Sequence, residues 1–172
     1  AIPLVGIVDT ILMGHMEDEK FLIAVSISTT FLTMIFWSFG FLRMGTVGLI
    51  SQALGKADYR EIVYIILRNI FIAISISFLI IIFKPLILYF LNQVFATSIE
   101  TKALIDEYIS IRVFSAPAEL ITYVLVGFYL GIQKTFISSL LITISSLLNI
   151  MLSVYFVREL NLNVSGVALG TL

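Results

Sequence analysis

Cysteine is absent, histidine occurs once and charge is scarce. The 172 residues hold ten Lys and Arg against eleven Asp and Glu, a net charge of −1. Without cysteine there are no disulfides, no thiolate metal sites and no cysteine nucleophile. Charged residues make up 12% of the chain, where a soluble domain carries about 25%. That shortage excludes an ordinary soluble enzyme and an intrinsically disordered chain. With no basic patch, binding to nucleic acid or to anionic lipid headgroups is excluded as well. What is abundant is apolar: 60% of residues are hydrophobic and mean hydropathy is +1.12. The chain reads as an integral membrane protein in contact with the lipid bilayer. At roughly 20 residues per crossing it has room for five full spans and a partial sixth.

The apolar runs predict helices over about 1–14, 21–54, 62–91, 102–131 and 136–157, and an incomplete one over 164–172. Polar stretches punctuate them: HMEDEK (15–20), GKADYRE (55–61), Asn92 to Thr101, Gln133-Lys134 and Arg158 to Asn163. Runs this long without polar–apolar alternation argue for helices over transmembrane strands. The first apolar run is too short to cross, and the last stops after nine residues. The chain therefore reads as a piece of a longer protein. A signal peptide fits poorly, because the first basic residue is Lys20. Run 21–54 exceeds the bilayer and must tilt, kink or project beyond it. Gly40, Gly45 and Gly48 allow a kink or close helix packing there. Lys84-Pro85 breaks the regularity of the next run, and Pro117 sits within 102–131. Loop charge is balanced at three Lys or Arg on each side, so the positive-inside rule does not orient the chain.

Several polar residues lie where lipid would penalise them. Asp9 sits between Val8 and Thr10, and a carboxylate there costs on the order of 3 kcal/mol. It should face a bundle interior or a wet cavity, where desolvation favours protonation. Loading and releasing a proton is the functional reading; quiet pairing with a neighbouring helix is the bland one. Arg43 is either a structural ion pair or substrate contact, or it tilts out and snorkels to the interface. Its distance of about a dozen residues from Gly55 leans toward snorkelling. Arg112 and Glu119 are seven apart, which puts them on one helical face with Pro117 between. That stripe reads as a hinge or as a satisfied polar seam. Asn149 and Ser153, at i and i+4, face one way; with Ser145 and Ser146 they suit either helix association or an ion relay. His15, Glu17, Asp18 and Glu19 are solvated loop groups rather than a metal site. No serine has a nucleophile-elbow pattern or a second histidine as base, so no enzyme is expected.

These residues carry a resemblance. VDTILMGH (8–15), FLRMGTVGLISQALGK (41–56), IRVFSAPAEL (111–120), GFYLGIQK (127–134), NIMLSVYFV (149–157) and NVSGVALGTL (163–172) stand in one order and spacing. Together they resemble the multidrug and toxic compound extrusion (MATE) family, in particular its bacterial DinF-like branch. The resemblance implies an all-α bundle, five to six helices of a twelve-helix fold in two lobes. This chain would be most of the N-terminal lobe, in a bacterial inner (plasma) membrane, and would need the missing C-terminal lobe. HMEDEK would lie outside; GKADYRE and Gln133-Lys134 would lie inside. It further implies export of small amphipathic or cationic compounds by cation antiport. No cofactor is implied beyond the coupling ion, H⁺ or Na⁺. Carried over by motif, the coupling site falls on Asp9, Asn149 and Thr171. Ser153 stands where the family often has a second aspartate, and losing that charge favours H⁺ over Na⁺. Two alternatives remain: a flippase-like transporter of related architecture, for which only Arg43 and Arg112 offer cavity cations, and a truncated product that does not transport.

Overall fold

The computed structural model describes residues 19–94, 98–158 and 163–171. The predicted helix over 1–14, and Asp9 and His15 with it, lies outside the described residues. The rest is helical: α1 (Glu19–Ser38), α2 (Phe41–Gly55), α3 (Tyr59–Ile82), α4 (Lys84–Val94), α5 (Ile99–Arg112), a 3₁₀ turn (Val113–Ser115), α6 (Ala116–Gly131), α7 (Thr135–Arg158) and α8 (Asn163–Gly170). Among the described residues there is no strand. Four stretches are long and apolar enough to cross a membrane: Lys20–Gly55, Tyr59–Ile82, Ile99–Gly131 and Thr135–Val157. The all-α transmembrane bundle expected from the apolar runs is the architecture found.

Lys20–Gly55 has 36 residues, roughly 54 Å of unbroken helix against a hydrocarbon core of about 30 Å. It divides at Phe39-Gly40. There the backbone tightens: Phe39 N–H reaches Phe36 O at 3.0 Å and Gly40 N–H reaches Trp37 O at 2.9 Å. Gly40 therefore marks the break, as expected. Among the described residues Gly45 and Gly48 are not close-packing points: a Cβ on either would meet none of them within 4 Å. The segment expected as one helix over 102–131 also divides, at the 3₁₀ turn. Pro117 is not mid-helix but in the first turn of α6, where its missing N–H removes no bond. Pro85 likewise occupies the first turn of α4.

Two turns at the same end of the bundle share one design. After α2, Asp58 N–H bonds Ala53 O at 3.0 Å and Ala57 N–H bonds Leu54 O at 2.9 Å. After α6, Lys134 N–H bonds Tyr129 O at 2.8 Å and Gln133 N–H bonds Leu130 O at 3.0 Å. Both are Schellman closures with a left-handed residue, here Ala57 (φ 54°) and Gln133 (φ 61°) rather than glycine. Asp58 then caps α3 by accepting from Glu61 N–H at 3.0 Å. That serves one of the helix's orphan donors.

Packing separates the bundle into two ends. α2 lies on α6, and both touch α3. α1 lies on α5, and α5 on α8, while α8 lies chiefly on α7. The main core gathers Leu32, Phe36, Ile105, Tyr108, Ile109 and Val113. A smaller cluster of Ile50, Ala53, Ile62 and Ile65 seals the end at the α2–α3 turn. Thr29 and Tyr108 share a hydrogen bond at 3.0 Å across α1 and α5. Lys20 pairs with Glu100 at the opposite end from the Schellman turns. Large apolar side chains point outward all along the helices, including Met34, Trp37, Phe71, Phe78, Phe136 and Met151. That is the surface lipid requires.

Candidate functional site

The polar groups of α7 converge on α8. Ser153 is fully buried and packs on the backbone of Gly170. A Cβ on Gly170 would lie 2.4 Å from Ser153 Cα, N and Oγ. Only glycine lets the two helices meet this closely. Asn149, one turn away on the same face, turns its Oδ1 inward. Asn149 Oδ1 and Ser153 Oγ are both buried, and among the described residues neither has a hydrogen-bond partner. Thr171 follows Gly170 and donates its hydroxyl to Val167 O at 2.8 Å, which leaves the Oγ1 lone pairs available. Ser146 is different: its hydroxyl is spent on Ile142 O at 2.8 Å.

Buried polar atoms are almost always satisfied, so two orphaned oxygens on one face need an account. The atoms are oxygen acceptors, which suit a hard cation or the proton of a neutral carboxyl group. Of the residues predicted at Asn149, Ser153 and Thr171, Ser153 meets α8 at Gly170, the residue before Thr171. The fourth predicted residue, Asp9, lies outside the described residues.

A 3₁₀ turn interrupts the helix between Arg112 and Glu119 and, at about 120° per residue against 100°, leaves the two within about 40° of one face. Arg112 binds Ser115 Oγ and lies over the Phe36 ring, 5.9 Å from its centroid. Among the described residues no ion pair joins it to Glu119. Glu119 stands one turn before Tyr123 on α6, and Arg43 is exposed on α2. Sequence reasoning passed over Asn69, which donates to Thr46 Oγ1 at 2.8 Å in the α2–α3 contact. Its signal was present: an amide inside an apolar run. Among the described residues no group of three metal-ligating side chains occurs.

The MatE family model matches residues 1–155. The chain belongs to the MatE family. It is 32% identical over 170 residues to DNA damage-inducible protein F of Escherichia coli (strain K12), covering 99% of this chain and 37% of that protein. It is 28% identical over 169 residues to the multidrug export protein MepA of Staphylococcus aureus (strain bovine RF122 / ET3-1), covering 96% and 37%. The chain thus spans little more than a third of the relatives it matches. Among solved structures, an outward-facing form of a multidrug resistance MATE family transporter matches at TM-score 0.86 with 24% identity, covering 98% of this chain and 37% of that one. An inward-facing form of such a transporter matches at 0.88 with 22% identity, covering 98% and 38%. The fold is that of one part of these membrane transporters. The family consists of transporters, not enzymes.

Proposed function

We propose that this chain is the N-terminal lobe of a twelve-helix efflux transporter in a bacterial plasma membrane, exporting small amphipathic or cationic compounds in exchange for H⁺. The observation that carries the coupling site is the pair of orphaned oxygens, Asn149 Oδ1 and Ser153 Oγ, on the helix face that meets Gly170, the residue before Thr171. Asp9, at the motif position of the first-helix carboxylate, is assigned to the same site. When Asp9 takes a proton from outside, it becomes a donor that Asn149 Oδ1 or Ser153 Oγ can accept. That bond exists in one protonation state only, so it biases the equilibrium between outward- and inward-open forms by the difference it makes to each. Na⁺ is disfavoured because Ser153 brings no formal charge where a second carboxylate would help neutralise the ion.

Alternating access by rocking of two lobes is supported by the similar fit of this fold to an outward-facing and an inward-facing relative, 0.86 and 0.88. A lobe that moves as a body keeps its internal fold in both states.

The test uses the complete transporter reconstituted in liposomes with a fluorescent organic cation. An imposed pH gradient should drive dye movement in the native protein, and Asp9→Asn should reduce it at least tenfold. Undiminished pH-driven transport in Asp9→Asn, or transport driven by Na⁺ alone, would sink the proposal.

A further inference from the structure

The outward face of α3 is apolar except at one end. At about 100° per residue, the buried residues of α3, from Ile62 to Ile80, fall within about 120° of arc. Opposite the middle of that arc stand Arg60, Tyr64, Phe71 and Phe78, with Arg68 about 40° beyond Tyr64. All five are exposed. The face turned away from the bundle thus reads basic, aromatic, basic over two turns and is then carried on by phenylalanine.

α3 has 24 residues, roughly 36 Å against a hydrocarbon core of about 30 Å. Arg60, in its first turn, stands at the membrane interface. Arg68 starts roughly 14 Å along the helix, inside the hydrocarbon. Side chains on a helix lean toward its N-terminus, so Arg68 reaches back past Tyr64 toward the interface.

Two guanidinium groups facing lipid need a counter-charge. Among the described residues no ion pair holds Arg60 or Arg68. Asp58 is engaged in capping α3, and Glu61, two turns from Arg68, is not joined to it. More positive charge gathers at the same end. A Cβ on Gly127 of α6 would lie 2.7 Å from Arg43 O of α2, and one on Gly131 would lie 2.7 Å from Ile50 Cβ. The two helices therefore run parallel and finish together, which puts the exposed Lys56 and Lys134 beside the start of α3. The balanced charge of the whole chain argued against anionic lipid as a partner, but a total does not register where the charges stand.

We propose that Arg60, Tyr64 and Arg68 bind the headgroup of an anionic phospholipid in the leaflet at this end of the bundle. The guanidinium groups take phosphate oxygens in paired hydrogen bonds, and the Tyr64 hydroxyl donates to the same headgroup. The acyl chains run along Phe71 and Phe78, an apolar track that a soluble phosphate would leave bare. A zwitterionic headgroup brings an ammonium group that Arg60, Lys56 and Lys134 repel, so the site selects for net negative charge. The inference rests only on α3 crossing a membrane and concerns neither the coupling ion nor the exported compound.

The test titrates the complete transporter in detergent with dioleoyl phosphatidylglycerol or dioleoyl phosphatidylcholine, read by native mass spectrometry. The first phosphatidylglycerol should bind about tenfold more tightly than the first phosphatidylcholine. The double variant Arg60→Gln/Arg68→Gln should bring the two lipids to equal affinity. Lys84→Gln, which removes a positive charge past the other end of α3, should leave the preference intact. Equal affinity in the native protein overturns the proposal without any variant, and is the result if the rest of the complete transporter covers this face. A preference that survives the double variant puts the lipid elsewhere and overturns it too. So does a preference that Lys84→Gln abolishes, since that is a general effect of charge. Displacement of phosphatidylglycerol by inorganic phosphate at the same concentration would assign the site to a soluble anion and overturn the lipid reading.

Discussion

Thr46 Oγ1 holds two hydrogen bonds at once. It donates to Leu42 O at 2.6 Å and accepts from Asn69 Nδ2 at 2.8 Å. Both side chains are buried, Thr46 completely. Thr46→Val keeps the volume but strands the Asn69 donor, at a cost of about 1 kcal/mol. Thermal unfolding in detergent should show a lower midpoint for Thr46→Val, recovered in the double variant Thr46→Val/Asn69→Leu, where no polar group is left stranded. Ser153 presents the opposite case. Its buried hydroxyl has no partner among the described residues, so Ser153→Ala should leave stability unchanged or raise it by up to about 1 kcal/mol. The same variant should weaken pH-driven export, because it removes one acceptor for the coupling proton. Lost stability together with lost export would mean that Ser153 is only a packing residue. Asn149 and Ser153 were legible in the sequence because i, i+4 spacing puts them on one face of any helix. Asn69 was equally visible as an amide in an apolar run, but nothing in its own segment named Thr46 as its partner.

At the scale of helices, the decisive contacts are glycine contacts. Gly127 and Gly131, four apart in GFYLG, let α6 sit directly on α2. A methyl group at Gly127 would press on Arg43 O at 2.7 Å and Thr46 Cβ at 2.9 Å, and a backbone carbonyl in a helix has little room to yield. Gly127→Ala should therefore cost about 1–3 kcal/mol. Gly45→Ala, which meets none of the described residues within 4 Å, should be neutral or slightly stabilising, since alanine is the better helix former by up to about 1 kcal/mol. Comparing the two midpoints in detergent checks both. The expectation from sequence allowed a kink or close packing at Gly40, Gly45 and Gly48 and overlooked the pair in α6. Helical periodicity shows that small residues share a face; it does not show which face meets a neighbour. The break at Val113–Ser115 was hidden for a similar reason. Pro117 announced an interruption, but the tight turn lies before it, where Arg112 is held by Ser115 and lies over Phe36.

For the molecule as a whole, the parallel register of α2 and α6 puts Lys56 and Lys134 at the same end, and the Lys20–Glu100 pair marks the other. The chain has no cysteine, so single cysteines can be placed in it without a native thiol to remove. Lys56→Cys and Lys134→Cys should react with a membrane-impermeant maleimide from the same side of the membrane, and Glu100→Cys from the opposite side. Labelling of Lys56→Cys and Lys134→Cys from different sides would refute the parallel arrangement. Loop charge alone left this undecided, with three basic residues on each side.

That this protein is a bundle of membrane-crossing helices follows from its long apolar runs. Backbone groups in hydrocarbon must bond within their own segment, so a long apolar run has essentially one solution. Local spacing likewise put Asn149 and Ser153 on one face, because a helix face is set by neighbours in the chain. The rest was settled by tertiary packing: that Gly170 closes over Ser153, that Gly127 joins two helices, and that Arg112 is held by Ser115 and lies over Phe36. Those outcomes depend on which faces meet between segments far apart in sequence. That choice is made by shape and polar satisfaction across the whole bundle, and no single segment contains it.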